Sequence, residues 1–408
     1  MRKQLLRDLV YLCTSVFSAG IRNIAVQMFY DSYYPEKKET LVSAALFISA
    51  LCTMFGIMLS SRIIRRSMQG TGRSRFLLTA GMALALCLTF AAMFLVQHSV
   101  IYMVLFGISS FCLNFLYNVF DVFISGTVSD ADREKNVRIL LTYQMIGYIA
   151  GPLFFSFFAG SPRLCILLSV SLLLVGYLPV IRAYTAYSGG GSGRMNASAA
   201  DAEPSGEVPA SVQKADRTAM IYTFLMYCAT NTLMPSVAYI MKDHLHVADY
   251  AVKSSLFLAG TVLVSAVVIG LFPAMKLWKL RTAAPLAMAA ALGMIIVFHS
   301  SSPVLLTAAA VLSGIGNGIF LSGSRYYVNF SAAGRGLVGR YNKAMTEATL
   351  TGYMMAAVLS FLCIRSGIAV EPVKLFAIIL LLAAAGFLAC SRFLRSDTGK
   401  RHKKSTHP

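Results

Sequence analysis

The residues able to do chemistry in this chain stand inside long apolar runs. The stretch NFLYNVFDVFISG, residues 114 to 126, carries Asn114, Asn118 and Asp121. Spacings of four and three put these on one face of a helix. Ser125 continues the face and Tyr117 lies beside it. An ionisable group at the centre of a membrane helix costs about 2.5–3.5 kcal/mol on insertion scales, so it turns to a bundle interior or a wet cavity. Asp121 therefore has two readings. It exchanges protons on a pathway, or it caps a helix and pairs with loop cations such as Arg133 or Arg138.

Arg22, in the first apolar run, has three. It pairs with Asp121, it snorkels outward, or its fork of donors holds an anionic group of a ligand. Asn23 and Gln27 extend its polar surface. Asn231, four residues before Pro235, and Asn317, in SGIGNGIFLSGSR, either line a cavity or bond between helices. Glu347 follows Lys343 by four, an i,i+4 pair, or it is a second protonatable site. Gln144 occupies a similar depth in the fifth run.

Other chemistries are not expected. The eight cysteines lie in apolar runs with no CxxC pair, the pattern of buried thiols rather than of a metal site or disulfide framework. Gly314, Gly316 and Gly318 follow no strand, so they do not form a nucleotide loop. His98, His244, His246 and His299 fall near the outer ends of runs. The aromatic groups DSYY (31–34) and RYY (325–327) suit interfacial anchoring. No nucleophile–base pair is evident. The expectation is no enzyme, no metal and no cofactor.

The elements that must position these residues are membrane helices. The chain has 408 residues, 57% hydrophobic and only 13% charged, where a soluble domain carries about 25% charge. Runs of about 20 apolar residues span a bilayer. Twelve are predicted, at 9–30, 41–61, 76–97, 100–125, 139–159, 163–184, 218–241, 252–275, 282–300, 303–325, 344–364 and 373–394. The first reads as an uncleaved helix.

The net charge of +19 fits basic cytoplasmic loops and lipid contact better than nucleic acid. With the N-terminus inside, cytoplasmic segments hold 28 Lys and Arg and outer loops seven, so both termini are expected to be cytoplasmic. The Gly/Ser/Pro-rich segment after the sixth run is a flexible linker. The predicted layout is a six-helix bundle at 1–184, a linker at 185–217, a second bundle at 218–394 and a basic tail at 395–408.

The halves repeat. Aligning GIMLSSRIIRR with GLFPAMKLWKLR sets Gly56 on Gly270, Arg62 on Lys276 and Arg65 on Lys279. VRILLTYQMIGYIAG and GRYNKAMTEATLTGY hold equivalent places in runs five and eleven. Parallel repeats of this kind build secondary transporters with a site between the halves.

On these features the chain resembles the major facilitator superfamily over nearly its whole length. The resemblance implies an all-α fold of two six-helix bundles, with the first, fourth, seventh and tenth helices lining a central cavity. It also implies a gating loop after the second helix. Gly56, Arg62 and Arg65 match that loop, and Ser60 stands where the family has an acid. In the fifth helix Gly147, Gly151 and Pro152 match the start of a motif of proton-coupled exporters; GxxxG also serves ordinary helix packing.

The resulting expectation is a secondary active transporter of a small organic solute, working by alternating access with protons as coupling ion. Export is the leading direction. Uptake of an organic anion or nutrient is the alternative, and a non-transporting sensor or scaffold is a third. A monomer in a bacterial inner membrane is expected.

Overall fold

The computed structural model describes residues 2–68, 72–126, 161–186, 240–271, 280–299 and 302–333 without a break, with individual helical residues within 139–154, 221–237 and 348–381. Among the described residues the longer elements are eight α-helices. They are α1 (Arg2–Tyr33), α2 (Lys38–Met68), α3 (Gly72–Leu95), α4 (Ser99–Gly126), α5 (Pro162–Ala186), α6 (Tyr250–Leu271), α7 (Leu280–His299) and α8 (Pro303–Ala333). A 3₁₀ turn, Pro35–Lys37, joins α1 to α2, and a π-helical turn, Ile240–His244, precedes α6.

These correspond to the predicted spans one to four, six and eight to ten. The fifth, seventh, eleventh and twelfth lie largely outside the described residues. Thr40–Ser60, Phe76–Leu95, Ser99–Tyr117, Ile166–Ala183 and Val252–Gly270 are long and apolar enough to cross a membrane. Their lipid-side faces carry exposed large apolar residues such as Leu84, Leu88, Leu178 and Leu263.

Several helices outrun their apolar windows. The stretch after Gly56 was expected to be a loop, but α2 continues to Met68. No glycine or proline interrupts 57–69, and arginine, at 62, 65 and 66, is a good helix former. α8 likewise runs on past Arg325 to Ala333. An apolar window measures the bilayer, not the helix.

Two large clusters of buried apolar side chains hold the helices. One joins α1 to α5 through residues such as Phe29, Leu86, Phe106 and Leu173. The other joins α6 to α8 with Cys228, Val237, Ile240 and Met241. Met145 and Ile149 of the fifth span pack against Val262, Ala266 and Ile269 of α6.

Small residues set the closest helix pairs. α2 and α4 run parallel, since Ser49 meets Ser110 and Thr53 meets Asn114. A Cβ at Gly56 would stand 2.7 Å from the Phe111 carbonyl oxygen, and one at Gly107 would stand 2.7 Å from Ile48 Cγ2. Gly56 is thus a packing residue.

The same parallel packing recurs between α6 and α8. There Ser265 Oγ donates to the Gly314 carbonyl at 2.8 Å, and a Cβ at Gly314 would lie 2.5 Å from the Thr261 carbonyl oxygen. Gly270, which the repeat aligns with Gly56, has open space at its Cβ position. Gly314→Ala is accordingly expected to push α6 from α8 and to destabilise by about 1–3 kcal/mol. Gly270→Ala should be neutral or slightly stabilising, because alanine has the better helix propensity. Thermal unfolding of the two variants in detergent checks the contrast. Equal midpoints would mean that the α6–α8 contact is not tight.

Candidate functional site

Arg22, on α1, is buried, 4% exposed. Its Nη1 donates to Ser109 Oγ at 3.1 Å and to Ser110 Oγ at 2.7 Å, and its Nη2 to Asn23 Oδ1 at 3.2 Å. The guanidinium carbon lies 4.6 Å from the centre of the Phe106 ring, a cation–π distance.

The two serines are prepared for this. Each donates its proton to the Phe106 carbonyl at 2.8 Å, one turn back on α4. A hydroxyl has one proton and two lone pairs, so both serines present lone pairs to Arg22. With the Ser110 proton committed, Ser49 Oγ, 2.6 Å away, is the donor in that pair. Ser109, Ser110 and Asn23 offer neutral oxygens, which orient the guanidinium.

Depth follows from the partners. Ser109 and Ser110 sit at the middle of the apolar span Ser99–Tyr117, and Ser49 near the middle of Thr40–Ser60. The guanidinium is therefore at mid-span, deeper than the first apolar run suggested. Two of the three readings of Arg22 are overturned. It does not snorkel, because it is buried against α4. It does not pair with Asp121, whose Cα lies eleven residues beyond Ser110 on the same helix, about 16 Å along the axis.

Asn114 is half-buried, and its Nδ2 donates to Thr53 Oγ1 at 3.0 Å and to the Ser110 carbonyl at 2.9 Å. Both amide protons are engaged in tying α4 to α2 and in supporting the Ser110 turn. The first member of the polar stripe thus faces a neighbouring helix. Asn118 and Asp121 follow on α4; their side chains lie outside the described residues. So do the side chains of Arg62 and Arg65, and all of Gln144, Pro152, Asn231 and Glu347. Gly147 and Gly151 are helical and buried. Asn317 is buried on α8 beside the Gly314 and Gly318 contacts with α6.

Ser49, Phe106, Ser109 and Ser110 were not singled out from the sequence. A serine pair one turn before Asn114 in an apolar run was the available signal.

A second polar cluster, also unforeseen, closes the α1–α2 end of the bundle. Asp31, in the last turn of α1, stands where the helix dipole repels an acid. Lys38 Nζ, on the first residue of α2, lies 3.1 Å from Asp31 Oδ1. Lys242 Nζ, from the π-helical turn, lies 2.9 Å from Oδ1 and 3.2 Å from Oδ2. Tyr250 donates its hydroxyl to Oδ2 at 3.2 Å, and Lys242 Nζ sits 5.0 Å from the Tyr250 ring centre.

Burial alone would raise the Asp31 pKa, but hydrogen bonds from Lys242 and Lys38 and the field of both lysines outweigh it and hold it below the usual carboxylate range. A depressed pKa means that the network contributes above the ordinary carboxylate value and is lost as pH falls through the depressed one.

Beneath it lies an aromatic layer. Phe29 stacks on Tyr102 with centroids 3.7 Å apart, Tyr30 donates to the Ser99 carbonyl at 3.0 Å and Tyr34 to the Gln97 carbonyl at 3.1 Å. The turn between Lys242 and α6 is tightly shaped. His246 and Asp249 are left-handed, with φ 48° and 56°, and the Asp249 carbonyl accepts the Val252 and Lys253 amides that begin α6.

The sequence matches the family model described as Major Facilitator Superfamily over residues 9–346. No curated protein matches the chain significantly in sequence. Solved structures do match in fold. The nucleoside transporter NupG is 13% identical with a TM-score of 0.66, covering 94% of this chain and 98% of that one. The human organic anion transporter MFSD10 (TETRAN) is 10% identical with a TM-score of 0.65, covering 95% and 99%. An auto-inhibited peptide transporter of the POT family is 12% identical with a TM-score of 0.67, covering 96% and 97%.

Proposed function

The chain belongs to the major facilitator superfamily of integral membrane transporters, and from that membership we propose that it is a secondary active transporter moving a small organic solute by alternating access. The observation that carries this reading is Arg22. A guanidinium at mid-span is expensive in a bilayer, and intramembrane charges mark substrate or ion pathways. Serines from α4 orient it, and Phe106 lies against it.

The solute path runs past Arg22, Asn118, Asn231 and Asn317, with Asn114 acting as a positioning residue for the Ser110 turn. Asp121 and Glu347 exchange the coupling protons, Gln144 matching Glu347 in the repeat. Gly147, Gly151 and Pro152 allow the fifth helix to bend, and Arg62 and Arg65 hold the inner end of α2. Twelve helices form two bundles, 1–184 and 218–394, about the linker 185–217, with both termini cytoplasmic, in a monomer of a bacterial inner membrane.

Proton-coupled export is the leading direction. Uptake of an organic anion is the second reading, favoured by the positive charge of Arg22. The three similar structures are named for nucleosides, organic anions and peptides, so the fold does not choose the solute.

Two measurements test this reading. Single cysteines in place of Ser32 and Ser192, in a cysteine-less protein, should label from opposite sides of the membrane. Labelling of both from outside by an impermeant reagent refutes the topology. Reconstituted vesicles with an imposed pH gradient should move labelled solutes from a panel of organic anions, cations and neutral compounds. The absence of flux for every class would favour a sensor or scaffold.

A further inference from the structure

We propose that Asp31 is a two-position latch, whose carboxylate joins the two halves through Lys242 and keeps Lys38 of its own half when they part. The proposal rests on the alternating-access reading for the motion, and on the α1–α2 end of the bundle for the geometry.

The carboxylate is shared. Asp31 Oδ1 lies 3.1 Å from Lys38 Nζ and 2.9 Å from Lys242 Nζ. Lys38 is seven residues away in sequence and Lys242 is 211. The first pair is local to the α1–α2 turn, so separating the halves leaves it intact. The second spans the two apolar clusters, so separation must break it.

Neither charge is then stranded. Asp31 retains Lys38 at the start of α2. Lys242 retains the face of the Tyr250 ring, 5.0 Å away, on its own side of the break. A buried pair with a single partner on each side would leave two isolated charges on opening, which is strongly unfavourable. A carboxylate 26% exposed, with a fallback partner on its own half, keeps an ion pair in both positions and so exchanges at a smaller cost than a pair with no fallback. The two lysines therefore compete for one carboxylate, and they pull the equilibrium in opposite directions.

That opposition is the test. In the full-length, cysteine-less protein, spin labels at Glu36 and Ala248, both exposed, report the distance across this end of the bundle. Lys242→Ala and Asp31→Asn should raise the open-to-closed ratio by about two- to fivefold. Lys38→Ala should lower it by a similar factor, because the remaining contacts of Asp31 described above, Lys242 and the Tyr250 hydroxyl, lie across the break. The double variant Asp31→Asn with Lys242→Ala should not exceed either single change.

If Lys38→Ala opens this end, or leaves the distance unchanged while Lys242→Ala opens it, Lys38 is not a competing partner and the latch is overturned. One narrow distance unaffected by any variant overturns it as well. Vesicle flux separates the two ideas. Flux without the opposed distance shifts refutes the latch alone, and opposed shifts in a protein that moves no solute refute the transport reading alone.

Discussion

With an anionic solute held by Arg22, Arg22→Ala is expected to fold and to reach the membrane but to lose solute affinity by roughly 30-fold or more, the lower end of a 2–5 kcal/mol penalty for leaving a partner charge unpaired. Folding survives because of the serines. Ser109 and Ser110 give their protons to the Phe106 carbonyl, so removing Arg22 leaves them with unused lone pairs, a far smaller loss than an unpaired proton or charge. Removing a buried cation also relieves its desolvation.

Arg22→Lys keeps the charge but gives up the planar fork that reaches Ser109, Ser110 and Asn23 together. It should fall between the parent and the alanine variant. Affinity is measured by thermal-shift titration with carboxylates, phosphates and matched neutral analogues, alongside folded yield. Selective loss of anion binding in Arg22→Ala supports an anionic solute. Normal affinity with a collapsed yield would make Arg22 a purely structural residue, and normal values of both would remove it from the pathway.

Asp121→Asn is expected to abolish accumulation driven by a pH gradient while leaving solute exchange across vesicles in place. Asparagine keeps a hydrogen-bonding group of the same size but cannot release a proton. Asp121 stands near the inner end of α4, which closes at Gly126. Gradient-driven flux should fall to the level seen without a gradient, and counterflow should stay within about twofold, as for a surface-like change. Undiminished gradient-driven flux would return Asp121 to helix capping and make Glu347 the leading coupling carboxylate.

Membrane character and most helix positions were legible in the sequence. Apolar length is a local sum, and bilayer thickness turns it directly into a helix. The candidacy of Arg22 was legible for a related reason, because a charge in an apolar run is costly wherever the helix sits. The polar stripe of α4 was visible in its spacing, since Asn114, Asn118 and Asp121 share a face whatever that face meets.

Contacts set by docking were not legible. Helix rotation and offset come from side chains interlocking between distant elements, and no local spacing encodes them. Arg22 meets Ser109 and Ser110 across 87 and 88 residues, which sets its depth and rules out Asp121 as its partner. Gly56 read as a loop residue until Phe111 was found against it. Asp31 read as part of an interfacial aromatic group, and no local pattern marked Lys38 or Lys242. Only the packing of α1, α2 and the π-helical turn made them one cluster. The sequence by itself determined what must be buried and what must span, because those costs belong to single residues. The tertiary structure alone decided which buried polar groups meet, because that cost belongs to pairs.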